Sequence, residues 1–324
     1  MCTAITFNGN ANYFGRNLDL EYSLDEKVII VPRNYSIKLK YLENLENHYS
    51  FIGTGIIKDN FPLLYEATNE CGLSIAGLNF PEHCKYFNFN EHKNNLTSYE
   101  LIPYILSKFN SVEETEAELS SINITNDNFN EELLASPLHW MLADKDRAIV
   151  IEQIQNGLNI YNNEIGVLTN EPPFPFHLAN LTNYLHLSSN KQQNNLCENI
   201  NLKPYSRGLG AFGLPGDASS SSRFIRTAFT KLNATTYNNE NESISQFFNI
   251  LSIVKQVSGC VKLNDNLLEK TVYSSCCNTD TGTYYYNTYN NNRINAINMH
   301  NENLNNEQLI YYDMRTTEDI YMQN

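Results

Sequence analysis

No apolar run in the chain approaches the 18 or so residues that a membrane-crossing helix requires. Clusters of Lys and Arg are missing too, and 22 basic against 36 acidic residues leave a net charge of −14, which repels a phosphate backbone and excludes nucleic acid as a partner. The first twenty residues, MCTAITFNGNANYFGRNLDL, carry neither the basic head nor the apolar stretch of a secretory signal, so a cytoplasmic location is expected. The histidines (His48, His83, His92, His139, His177, His186, His300) form no HExxH and pair with no CxxC, so neither a metal nor another cofactor is called for. GxSxG elbows and Walker loops are absent. Seven cysteines, an odd number without regular spacing in a long chain, argue against a disulfide framework, and the adjacent Cys276 and Cys277 read as buried strand residues.

What is present is enough hydrophobic material, 41% of residues, to bury a large core. Short β-like runs separated by Gly, Asn, Asp or Pro fill the first 80 residues: Ala4 to Phe7, Tyr13 to Asn17, Lys27 to Val31, Tyr49 to Ile57 and Leu73 to Phe80. The period then changes. Leu101, Ile102, Ile105, Leu106 and Phe109 share one helical face, and Ser111-Val-Glu-Glu has capping-box spacing for a second helix. Strand patterns return at His139 to Ala143, Ala148 to Gln153, Leu158 to Tyr161 and Gly166 to Thr169. Helical ones recur at Phe176 to Leu187, Ser221 to Leu232 and Ser243 to Val257. The chain ends with strand patterns at Thr271 to Cys276, Thr283 to Thr288, Ile294 to Met299 and Gln308 to Tyr312. Sheet, helices, sheet, helices, sheet, without strict βαβ alternation or a linker, predicts an α+β fold of two packed antiparallel sheets covered by helices, within one domain spanning residues 1–324. Ser188 to Ser222 reads as a long loop over a site.

Gly208-Leu-Gly-Ala-Phe-Gly213 matches a dinucleotide-binding pattern, but loop-like sequence precedes it and no acidic residue stands about twenty positions on, so a glycine loop is the better reading. Cys2 has more specific chemistry. Removal of Met1 would free an α-amine with a reference pKa of about 7.7 to 8.0 on the same residue as the thiol, so the amine can act as base where no histidine partner is marked.

Around Cys2 stand Phe14-Gly-Arg-Asn-Leu-Asp19, Thr68-Asn-Glu-Cys-Gly-Leu-Ser-Ile-Ala-Gly-Leu-Asn-Phe-Pro81, Leu138-His-Trp140, Gly166-Val-Leu-Thr-Asn170, Gly213-Leu-Pro-Gly-Asp217 with Ser222-Arg-Phe224, and Tyr284-Tyr-Tyr-Asn287. In this order, over nearly the whole chain, they resemble the choloylglycine hydrolase family: the bile salt hydrolases and penicillin V acylases among the N-terminal nucleophile hydrolases. The resemblance implies a four-layer αββα sandwich and Cys2 as a nucleophile that forms a thioester. It implies Asp19 as the carboxylate holding the Cys2 amine, Arg16 and Arg223 as active-site cations, and Asn79 and Asn170 at the oxyanion hole. It further implies that Arg16, Leu18, Asn79, Phe129 and Leu133 line a substrate cleft, that Ser206 and Arg207 open an amino-acid selectivity loop, and that the chain forms a homotetramer. Asn79, where many penicillin V acylases carry Tyr, tilts the substrate towards glycine- or taurine-conjugated bile salts. Penicillin V or acyl-lactone hydrolysis, and a bile-acid-binding protein without catalysis, remain as alternatives. Each role also has a plainer reading, with Arg16 and Asp19 merely paired on a strand and Asn79 capping a turn before Pro81.

Overall fold

Residues 1–263 and 267–324 are described by the computed structural model, and the elements below are counted among them. The strands are β1 (Cys2–Asn8), β2 (Asn12–Leu20), β3 (Lys27–Val31), β4 (Phe51–Lys58), β5 (Phe61–Asn69), β6 (Ser74–Asn79) and β7 (Asn94–Thr97). Helices α1 (Leu101–Lys108) and α2 (Val112–Leu119) follow. Then come β8 (Ile122–Thr125), β9 (Leu138–Ala143), β10 (Ala148–Ile154), β11 (Gly157–Asn162) and β12 (Val167–Leu168). After α3 (Phe174–Leu181), α4 (Ser220–Asn233) and α5 (Glu240–Ser252), the chain closes with β13 (Val261–Lys262), β14 (Leu268–Asn278), β15 (Thr283–Thr288), β16 (Asn291–Asn298) and β17 (Ile310–Asp313).

One antiparallel sheet has the order β12-β1-β2-β14-β15-β16, with β13 beside β14; the other runs β11-β10-β9-β6-β5-β4-β3-β17. The first carries α4 and α5 on its outer face and the second carries α1, so the layers are αββα. The central strands β1, β2 and β14 of the first sheet are buried along nearly their whole length because each has a layer on both sides, whereas the edge strand β16 is largely exposed; β2 reads NYFGRNLDL and is covered from Tyr13 to Asp19. Apolar residues of α5 (Ile244, Phe247, Phe248, Leu251) fall at i, i+3, i+4 and i+7 and are buried, each fully covered side chain contributing about 1.5–3 kcal/mol. Gly15 lets β2 reach β14: a Cβ there would lie 2.1 Å from the backbone oxygen of Ser275.

The expected capping of α2 is present, with Ser111 accepting from the backbone N–H of Glu114 at 3.3 Å. Cys276 and Cys277 are buried free thiols on β14. Several boundaries differ from expectation. β5 went unread because Pro62 and Glu66 interrupt its apolar pattern, although it is a central strand. β7 and β8 are four residues each, too short to show a period, and pair in parallel. The helix expected at Phe176 to Leu187 is α3, begun two residues earlier at Phe174 behind Pro173, and a 3-10 turn at Thr182–Tyr184. Within the expected loop, Leu209–Ala211 forms one more 3-10 turn, entered through Gly208 at φ 79°.

Candidate active site

Strand pairing decides where the site residues point. Cys2 on β1 lies opposite Leu18 on β2, and Ala4 opposite Arg16. Side chains paired across strands share a face, so Cys2, Arg16 and Leu18 face the second sheet, whereas Thr3, Asn17 and Asp19 face the helices. Hydrogen bonds agree with this alternation. Arg16 Nη1 donates to the backbone oxygens of Tyr65 (3.1 Å) and Gly77 (2.6 Å) in the opposite sheet, and Asn17 Nδ2 donates to Leu251 O on α5 at 3.0 Å. The thiol face and the main-chain face of Cys2 are thus held by different layers.

On the main-chain face, Cys2 N donates to Asn170 Oδ1 at 2.8 Å. Arg223, in the first turn of α4, donates to Asn170 Oδ1 (2.7 Å), to Thr3 Oγ1 (2.8 Å) and to Cys2 O, and its Nε to Ala218 O at 3.0 Å. Asn170 Nδ2 donates to the backbone oxygen of Asn79 at 2.8 Å. Asp19 Oδ1 accepts from Thr271 Oγ1 at 2.6 Å, and Asp19 Oδ2 is buried without a partner among the described residues. Burial pushes the Asp19 pKa up against the pull of Arg223, the N-terminal ammonium and Thr271. Burial likewise lowers that of Arg223, against Asp19 and Cys2. The Met1 ammonium donates to Asp19 O (3.0 Å) and pairs with Glu269.

On the thiol face, Arg16 Nη1 is 3.9 Å from Glu66, whose carboxylate accepts from Tyr273 Oη (2.6 Å) and Tyr284 Oη (2.5 Å). Burial alone would lower the Arg16 pKa, but Cys2, Tyr273 and Glu66 beside it raise it above its ordinary value. Arg16 Nη2 has no oxygen or nitrogen partner among the described residues. Arg16 and Arg223 are 1% and 0% exposed and each has carboxylates as neighbours, so neither is a cation offered to solvent to draw in an anion.

Five of the sequence-derived residues, Cys2, Arg16, Asp19, Asn170 and Arg223, therefore form one buried group, with Leu18 directly across from Cys2. Asn79 joins it through its backbone oxygen, while its side chain is exposed at the end of β6. Phe129 packs elsewhere, 5.1 Å from Tyr99 and 5.9 Å from Phe61 between ring centres, and Leu133 closes the same loop by accepting from Phe129 N at 3.0 Å. Ser206 and Arg207 are exposed, and Ser206 Oγ donates to Arg207 O at 3.1 Å. No hydrogen bond or ion pair among the described residues joins these four to Cys2. Sequence reading missed Glu66, Thr271, Tyr273, His177 and Glu269. Only Tyr284, within the Tyr284 to Asn287 segment, hinted at the Glu66 pair.

Comparisons with known proteins match over the length of the chain. The family model of linear amide C–N hydrolases, choloylglycine hydrolase family, covers residues 2–312. A bile salt hydrolase/transferase of Lactiplantibacillus plantarum is 48% identical over 324 residues, all of both chains. A conjugated bile acid hydrolase of Lactobacillus gasseri is 37% identical over 96% of this chain and all of its own. Among solved structures, a mutant conjugated bile acid hydrolase from Clostridium perfringens superimposes with a TM-score of 0.92 at 37% identity, all of both chains being covered. Penicillin V acylase from Agrobacterium tumefaciens, at 0.77 and 19% identity over 96% of this chain and 91% of its own, shares the fold. With its buried Cys2 group and full-length match, this chain belongs to the choloylglycine hydrolase family of linear amide C–N hydrolases.

Proposed function

We propose that the protein hydrolyses the amide bond of glycine- or taurine-conjugated bile salts, with Cys2 as nucleophile. The observation that carries the chemistry is the environment of Cys2 N: it lies 2.8 Å from Asn170 Oδ1, and Asp19, next to the Leu18 that faces Cys2, has a buried carboxylate oxygen without a partner among the described residues. Full-length relatives named for bile salt hydrolysis support the substrate.

With Met1 in place Cys2 N is an amide and no base, so removal of Met1 precedes activity. The freed amine takes the thiol proton as Sγ attacks the acyl carbon. Asn170 Oδ1 and Asp19 hold that amine as it becomes charged, and an amide N–H of Asn79 and the Asn170 Nδ2 hydrogen not given to Asn79 O receive the developing oxyanion. Collapse breaks the C–N bond, and the amine returns its proton to the departing amino-acid nitrogen. Water then attacks the thioester with the same amine as base, releasing the bile acid and restoring the thiol. Arg223, through Cys2 O and Asn170 Oδ1, fixes the nucleophile's main chain, and Arg16 supplies positive charge on the sulfur side.

In this reading residues 1–324 act as one catalytic domain in the cytoplasm, where seven unpaired thiols stay reduced. The domain assembles as a homotetramer, which the exposed apolar side chains Leu185, Leu196, Ile200, Tyr205 and Phe212 support. Leu18, Phe129 and Leu133 contact the steroid, and Ser206 and Arg207 the amino acid. The test compares parent and Cys2→Ala on glycocholate, with penicillin V as the second substrate. Parental turnover by Cys2→Ala refutes the nucleophile, a larger kcat/KM on penicillin V refutes the substrate, and intact mass showing Met1 retained in active protein refutes the base.

A further inference from the structure

Two buried histidines lie directly behind Asn170 and take no part in the chemistry above. His177, on α3 and 0% exposed, places Nε2 at 2.9 Å from Asn170 O. A carbonyl oxygen only accepts, so Nε2 carries the hydrogen. His177 Nδ1 has no partner among the described residues, and the ring stacks on Phe224 at 4.9 Å between centres, next in sequence to Arg223. One residue upstream the pattern repeats: His139 Nε2 lies 3.0 Å from Thr169 O, its Nδ1 lies 3.0 Å from Glu152 Oε1, and its ring lies flat on Phe80. Two consecutive carbonyls are each held by an imidazole. The Asn170 N–H is fixed as well, donating to Ser220 Oγ at 2.8 Å.

We propose that His177 is a positioning residue for the hydrolysis: its Nε2–H fixes the Asn170 carbonyl, and with it the side-chain oxygen shared by Cys2 N and Arg223. This rests on the reading of Asn170 as holder of the freed Cys2 amine. A residue needed only to fill space here could be apolar, since the ring is stacked on Phe224 with Phe176 edge-on to it, and one of its nitrogens finds no partner among the described residues. The hydrogen bond is what an apolar residue would lose. Burial lowers the His177 pKa to about 4, which keeps the ring in the neutral form with a single hydrogen.

Because Nδ1 has no partner among the described residues, His177→Phe deletes one hydrogen bond and keeps the aromatic stack, while His177→Gln keeps an N–H donor. The experiment measures kcat and KM on glycocholate, Cys2 alkylation by iodoacetamide at pH 7, and Tm, on the processed full-length protein. Expected for His177→Phe is a kcat lower by about 10- to 100-fold, the scale of a misplaced reacting group, with KM within about threefold and slower alkylation. His177→Gln is expected to recover most of both rates. Parental kcat and alkylation in His177→Phe overturn the proposal, as does a folded His177→Gln as impaired as His177→Phe. If His177→Phe does not fold, His177→Gln decides alone: near-parental rates support the proposal and a 100-fold loss overturns it. If the parent itself leaves glycocholate intact, the substrate reading fails, and the alkylation rates still decide the role of His177.

Discussion

The buried state of His177 makes a prediction about stability and pH that needs no substrate. Its folded pKa of about 4, against an ordinary 6.5, means that the unfolded chain takes up a proton on this ring before the folded one does. A depressed histidine pKa therefore gives stability that is present above pH 6.5 and is lost as pH falls towards 4. The whole difference corresponds to roughly 3 kcal/mol at 1.36 kcal/mol per tenfold. Between pH 7 and pH 4.5 the unfolded ring is almost fully titrated and the folded one remains mostly neutral, so about 2 kcal/mol is lost. The charged or titratable groups acting on the ring are His139, Glu152 and Arg223, and all are common to parent and variant. Urea unfolding at fixed protein concentration, at both pH values, compares the parent with His177→Gln, which has nothing to titrate at this place. The gap in stability between the two proteins is expected to close by about 2 kcal/mol at pH 4.5. A gap identical at both pH values refutes the assignment of a buried, neutral imidazole.

Asp19→Asn separates stability from activity. Burial raises the Asp19 pKa in the folded state, so its carboxylate costs more stability as pH rises, and the amide removes that cost. Tm at pH 7 is expected to hold or increase while kcat falls by about 100-fold or more; parental turnover would contradict the role given to Asp19. Gly15→Ala tests the close approach of β2 and β14. Its Cβ would meet Ser275 O at 2.1 Å and the Cα of Cys276 at 2.8 Å, both backbone, so the strands must separate at a cost on the order of 3 kcal/mol or more. A variant with parental Tm would show that the strands yield easily.

Much of the site was legible because its residues fall in segments that resemble the choloylglycine hydrolase family, and those segments lie in or beside regular elements. Cys2 opens β1, Arg16 and Asp19 lie within β2, Asn79 ends β6, and Arg223 lies in the first turn of α4 after Asp217, which accepts from Ser219 N and Ser222 Oγ. Glu66 and Glu269 left no trace, since a single carboxylate within a strand has no local signature. Each acquires meaning only from partners 50 or more residues away, Arg16, Tyr273 and Tyr284 for one and the N-terminus for the other. β5 was unread for a related reason: Glu66 breaks its pattern, and the tyrosines that make its burial tolerable come from the other sheet.

The sequence by itself determined the layered α+β class, through period-2 and period-3.6 runs, and it singled out Cys2, whose thiol and prospective amine share one residue. Only the tertiary structure decided that Arg16 and Arg223 are buried beside carboxylates. It also brought Asn170 within 2.8 Å of Cys2 N from 168 residues away, and set His177 against the Asn170 carbonyl. The physical reason is range. Periodicity and capping act over a few residues and are written in local order, whereas charge compensation and buried hydrogen bonds depend on which strands become neighbours.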